Sequence, residues 1–178
     1  MFGHADGDGA QALFNRPWSI VMAADRTSLY LSEFRGAHIR KVMFATHQHG
    51  VIVSTIQATG ENGYAFSFHS TLELAMGSDL NIIWIGDSGN FTLHALSLTS
   101  NKVLSTYGNG IKAHVDGMSH RCSFMGFSQM ALAQDGSALF TTHETSANVR
   151  SVFAGRVATP KFLDPPSGRY FVPSTAVR

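Results

Sequence analysis

Cysteine is nearly absent from this sequence. Cys122 stands alone among 178 residues, so no internal disulfide can form and an oxidising compartment is not required, which favours an intracellular setting. Charge is also scarce, at 14% of residues against about 25% in ordinary globular chains. The net charge of +1 gives no overall drive toward nucleic acid or anionic membrane and disfavours both as partners. Residues 51–100 contain no Lys or Arg beside Glu61, Glu73, Asp79 and Asp87, whereas residues 101–178 are net basic. No apolar run approaches the roughly 20 residues of a membrane helix. The opening MFGHADGDGA lacks the basic-then-apolar pattern of a secretory signal.

What is present is repetition. Displaced by 110 residues, the chain meets itself without a gap: Asp6-Gly7 on Asp116-Gly117, Phe14 on Phe124, Leu29-Tyr30 on Leu139-Phe140, and Ile39-Arg40 on Val149-Arg150. A displacement of 54 finds a more worn copy between these two, with Phe14 on Phe68, Tyr30 on Trp84, Glu33 on Asp87 and Ile39 on Leu93. Within a copy the period is that of strands. Trp18–Ala23, Ser28–Ser32, Ile39–Phe44 and Val51–Ile56 are short apolar runs separated by turn residues. Leu72–Met76 has helical spacing, but the repeat register assigns it to a first strand. Asp135-Gly136 in the third copy is a strong hairpin signal. Four-stranded units repeated along a chain predict an all-β fold, a β-propeller of antiparallel blades with about three blades present.

Each copy resembles an NHL repeat. The first carries Ala5-Asp6-Gly7, Ala12-Leu13-Phe14-Asn15-Arg16-Pro17, Leu29-Tyr30-Leu31 and His38-Ile39-Arg40-Lys41-Val42, and Val103–Gly108 is similar to the family's linking strand. The resemblance covers about residues 3–155, with blades at about 3–57, 58–107 and 108–155 and an irregular tail at 156–178 in which Arg169–Pro173 is a possible edge strand. Two departures stand out: the Asp expected after the second strand is Glu33, Asp87 and His143 in the three copies, and the Pro after Phe survives only as Pro17. The resemblance implies a ring whose inner strands line a channel. It also implies a loop-built face that binds proteins, peptides or RNA, on which Arg16, Glu33, Arg35, Asp87, His143 and Glu144 are the candidate binding residues. Closed propellers have about four to eight blades, so three imply a fragment of a longer protein, self-association to complete the ring, or an open or smaller closed arrangement.

Catalytic patterns are weak. Gly86-Asp87-Ser88-Gly89 matches four residues of a trypsin-like nucleophile motif, but the same loop slot holds Ser32-Glu33-Phe34-Arg35 and Thr142-His143-Glu144-Thr145 in the sister copies. Asp6-Gly7-Asp8-Gly9 lacks the later ligands of a calcium loop. His47-Gln48-His49 reads as a solvated turn, while His4, His114 and His120 lie in loops that could converge with His143. No catalytic residue, metal or cofactor is therefore assigned. The expected function is a non-catalytic scaffold presenting its loop face to a protein or peptide. The alternative is a fragment of a calcium- or zinc-dependent six-bladed propeller hydrolase or lyase, with ligands drawn from Glu33, Asp87, His143 and Glu144. Cys122 is expected half-buried. The Trp18, Trp84, Phe14, Phe68 and Phe124 rings are expected to pack between blades, and Arg40 and Arg150 to serve structural hydrogen bonds.

Overall fold

A computed structural model describes residues 3–44, 50–70, 72–76, 81–133, 135–143, 146–153 and 156–158. Its strands are β1 (Gly7–Asp8), β2 (Pro17–Met22), β3 (Ser28–Glu33), β4 (Ile39–Phe44), β5 (Val51–Thr55), β6 (Leu72–Met76), β7 (Ile82–Asp87), β8 (Thr92–Ser97), β9 (Val103–Tyr107), β10 (Gly117–Met118), β11 (Gln129–Leu132), β12 (Ala138–His143), β13 (Ser146–Phe153) and β14 (Arg156–Ala158). They form three antiparallel sheets in the orders β1-β5-β4-β3-β2, β6-β7-β8-β9 and β10-β14-β13-β12-β11. The chain is all-β, and the sheets have the form of partial propeller blades. Among the described residues no helix is long and apolar enough to cross a membrane.

The repeat is visible in the pairing. Gly7 pairs with Val53 at the outer edge of the first sheet, and Gly117 pairs with Val157 in the third. The two Asp-Gly steps thus begin short edge strands, each pairing with the last strand of its blade, β5 or β14. Leu72–Met76 is the first strand of its sheet, as the register requires. Gly136, at φ +72°, turns the β11–β12 hairpin in a conformation that disfavours a side chain. The possible edge strand at Arg169–Pro173 lies outside the described residues.

Residues paired across neighbouring strands share a sheet face, and the faces stack in one consistent sense. Val21 and Tyr30 of the first sheet pack, with Ile39, against Leu74, Ile83 and Ile85 of the second. Ala75 and Leu93, on the second sheet's other face, pack against Phe124, Leu139 and Val152 of the third. The first sheet's remaining face carries Leu31, Val42 and Val53, covered in part by Ala12 and Phe14. Ile20 and Met22 stay exposed there, although their counterparts Met130 and Leu132 pack against the second core cluster. Among the described residues, this flank of the first blade is left open.

Candidate functional site

Two arginines organise the loops. Arg40 Nη1 donates to Glu33 Oε1 at 2.8 Å and to the Leu13 carbonyl at 3.0 Å, while Nη2 donates to the Ala5 carbonyl at 2.7 Å and Asp6 Oδ1 at 3.0 Å. Arg150 repeats the pattern 110 residues on: it donates to the carbonyl of Ser123, to that of Val115 at 2.7 Å, and to Asp116 Oδ1 at 2.9 Å. Each guanidinium lies over the ring of the repeated phenylalanine, 5.1 Å from Phe14 or Phe124. Both arginine side chains are fully buried, so this array of carbonyls, carboxylate and ring replaces their hydration. In Asp6, desolvation opposes ionisation, yet hydrogen bonds from Thr55 and the charge of Arg40 hold its carboxyl below the ordinary value. Asp6 is thereby committed to the scaffold.

The middle sheet puts His94 in the arginine slot. It is buried, bonded to the hydroxyls of Thr92 and Thr106 at 2.9 Å each, and approached by the ring edges of Phe66 and Phe68. Burial drives its pKa down to about 4 against the opposing charge of Asp87, so the imidazole is neutral.

The residues expected on the loop face separate into two groups. Glu33 and Asp87 are fully buried and latch the loops that precede their sheets. Glu33 Oε1 accepts the Asn15 N–H at 2.9 Å, and Asp87 Oδ2 accepts the His69 N–H at 2.9 Å, at the equivalent position. Asp87 also accepts the Gly89 and Asn90 amides at 3.1 Å each. His143 fills the same slot in the third sheet, where Nδ1 meets the Gly126 carbonyl. Burial takes its pKa down to about 4, the Gly126 contact opposing, with Arg150 and His114 adding to the fall. Its ring lies 5.9 Å from that of His114, so these two histidines do converge. His120 is exposed on the short 3-10 turn Ser119–Arg121. Glu144, His47 and His49 lie outside the described residues.

Arg16 and Arg35 are exposed. Arg16 has φ 56°, rare for a side-chain-bearing residue, and its carbonyl accepts the Phe34 N–H at 2.9 Å, tying the two loops together. Trp18 was expected between blades. It is instead 55% exposed on β2, in step with Ile20 and Met22, 5.7 Å from the Phe34 ring, with its indole N–H donating to Glu73. Burial raises the Glu73 pKa, with the bonds from Trp18 and Ser19 opposing. A groove of about 400 Å³ runs along the inner strands past Trp18, Glu73 and Met130. A larger one, about 800 Å³, lies on the outer side between Gly60–Phe66 and Val103–Tyr107, away from the histidine and carboxylate clusters.

The protease-like motif has a structural explanation. A Cβ at Gly86 would lie 2.6 Å from Cγ of Phe127, so only glycine admits the third sheet here. Ser88 Oγ accepts the Phe127 N–H at 2.9 Å and donates to the Phe127 carbonyl at 3.3 Å. Its partners are backbone groups of the next blade and not a histidine. Cys122 is fully buried, not half-buried, because Phe124 and the third sheet close over it; Sγ meets the Ser119 carbonyl at 2.9 Å.

One cluster was invisible in the sequence. His4 Nδ1 lies 2.7 Å and His38 Nδ1 3.5 Å from Glu33 Oε2, and the two imidazoles stack with centroids 3.8 Å apart. Desolvation, then the charges of His4 and Arg40, lower the His38 pKa against the pull of Glu33. β1, β2 and β3 all lie between His4 and His38 in the chain, and no local spacing announces their meeting.

Comparison with known proteins gives a fold and no family. No family model matches, and no curated protein matches. Among solved structures the chain is similar to Kuenenia stuttgartiensis hydrazine synthase (TM-score 0.59, 11% identity, 82% of this chain and 36% of that one). It is also similar to an auxiliary nutrient binding protein from Bacteroides thetaiotaomicron (0.58, 12%, 80% and 35%) and to the RRP9 WD40 repeats (0.57, 14%, 87% and 43%). The chain thus spans between 35% and 43% of the length of each.

Proposed function

We propose that this chain is part of an NHL-type propeller acting as a non-catalytic scaffold, and that it holds a protein or peptide segment on the loop face around Arg16, Trp18, Phe34 and Arg35. The observation that carries this reading is the exposure of a tryptophan between two exposed arginines on tied loops, the residue types that dominate binding hot spots. The buried polar residues nearby support it from the other side: Glu33, Asp87 and Ser88 are occupied by scaffold bonds. The two cations suit a segment that offers a carboxylate beside an apolar side chain.

Self-association belongs to the same proposal. Within the chain, one face of each blade packs on the opposite face of its predecessor, and the first blade's counterpart face is open. A second copy, or further blades, would cover it in the same sense; a copy would give a particle of twice the 19.2 kDa chain mass.

The test is selection of peptides from a random library on the immobilised chain. Enriched peptides should compete with one another and lose at least about tenfold in affinity on Trp18→Ala, with a smaller loss on Arg16→Ala/Arg35→Ala. Enriched peptides indifferent to both variants, or no enrichment, would overturn the reading.

A further inference from the structure

We propose that His4, Glu33 and His38 form a binding site for a divalent cation of the zinc class, joining the segment before β1 to the β3–β4 loop. Three potential ligand atoms, one from each residue, lie within 4.8 Å of one another. The two oxygens of Glu33 are already divided: Oε1 accepts from Arg40 and Asn15, which leaves Oε2 facing the two imidazoles. Nδ1 of His38 is buried and makes no well-formed hydrogen bond; its polar neighbour is Glu33 Oε2, held off at 3.5 Å.

The donor spacing is close to what a metal requires, while the stacked rings, 23° apart in plane, must turn for both in-plane lone pairs to meet one ion. Zinc–nitrogen and zinc–oxygen bonds of about 2.0–2.2 Å at tetrahedral angles set neighbouring ligands roughly 3.3 Å apart. The observed separations from Oε2 are 3.5 Å for His38 and 2.7 Å for His4, so His4 needs to withdraw by about half an ångström. Arg40 Nη1 stands 3.3 Å from His4 Nδ1, the nitrogen that would bind the metal, so the turn of His4 must also carry that nitrogen away from a guanidinium whose charge is shared with Asp6 and Glu33. Two imidazoles and one carboxylate suit zinc, whereas calcium takes six to eight oxygens.

The repeat argues that the trio is not required by the scaffold. The third sheet builds the same arginine array with His143 and Asn148 in the slots of Glu33 and His38, and the second sheet has Ala58 and Thr92 in the slots of His4 and His38. Only the first copy combines all three ligands. The sister copies also supply substitutions compatible with the fold, His4→Ala and His38→Asn.

The experiment is zinc titration of the chelator-treated protein by isothermal calorimetry, with calcium as the comparison ion, and with circular dichroism to verify that each variant is folded. One zinc per chain should bind at micromolar or tighter affinity. Each variant should weaken it at least about tenfold, and exposed His120→Ala should leave it unchanged. The visible absorption of the cobalt form should change in His38→Asn, which a change in stability alone would not produce. Zinc held equally by the wild type and by the folded His4→Ala/His38→Asn double variant, or none bound below about 0.1 mM, would overturn the proposal.

Discussion

Phe14 and Phe124 occupy one position of the repeat in two different surroundings, and replacing each by alanine isolates the effect of a neighbouring blade. Both rings lie 5.1 Å beneath a buried arginine. Phe124 has 0% exposure because the second sheet closes over it, whereas Phe14 is half-buried on the open flank. Phe124→Ala removes a fully buried ring and should cost about 3–5 kcal/mol. Phe14→Ala removes a ring that already meets water on one side, so about half of that, roughly 2 kcal/mol, is expected. Urea unfolding followed by tryptophan fluorescence, at low micromolar protein, would measure both. If a second copy covers the flank, the cost of Phe14→Ala should grow with protein concentration, and that of Phe124→Ala should not. Equal costs for the two substitutions at every concentration would refute the open flank. A cost below about 1 kcal/mol for Phe124→Ala would refute the packing role itself.

Acid should destabilise the chain through His94. Its folded pKa of about 4 lies below the ordinary 6.5, so the unfolded state binds the proton first and stability falls as pH drops from about 6.5 toward 4. Relative to pH 7, the loss from this residue should be about 2 kcal/mol at pH 5, read as the difference between wild type and His94→Gln in urea melts; an unchanged difference would refute burial as the cause. Ser88→Ala should cost about 1–3 kcal/mol by stranding the Phe127 amide, and a fluorophosphonate probe should fail to label Ser88 in the wild type. Labelling at that serine would contradict the structural assignment.

The strands were legible because their periodicity is local: Ile39–Phe44 is a strand over the expected span, the run at 18–23 is displaced from β2 by one residue, and those at 28–32 and 51–56 differ from β3 and β5 by one residue at the C-terminal end. The arginine arrays were legible because Arg40 and Arg150 recur at a fixed displacement. The inward turn of Glu33 and Asp87 was not. The second-strand position they share was assigned to a face by analogy, and only the partners across the chain, Asn15 and His69, set where those carboxylates go. Trp18 escaped for a different reason: it keeps the alternation of β2, in step with the exposed Ile20 and Met22, and periodicity alone does not report which of a strand's two sides another blade covers.

Recurrence therefore sorts the residues better than residue type does. What returns with its partners, as Asp6–Arg40–Phe14 returns in Asp116–Arg150–Phe124, is explained by building a blade and needs no ligand. What resembles a site but occupies a recurring slot, as Asp87 does beside Ser88, is explained the same way. The residues left over are those the repeat does not demand: an exposed Trp18 whose copy Leu72 is fully buried, and His38, whose copies are Thr92 and Asn148. Both occur in the first blade, beside its open flank. Sequence-specific chemistry in this chain concentrates where the repetition breaks, and substitutions there should change binding while those in the recurring slots change stability.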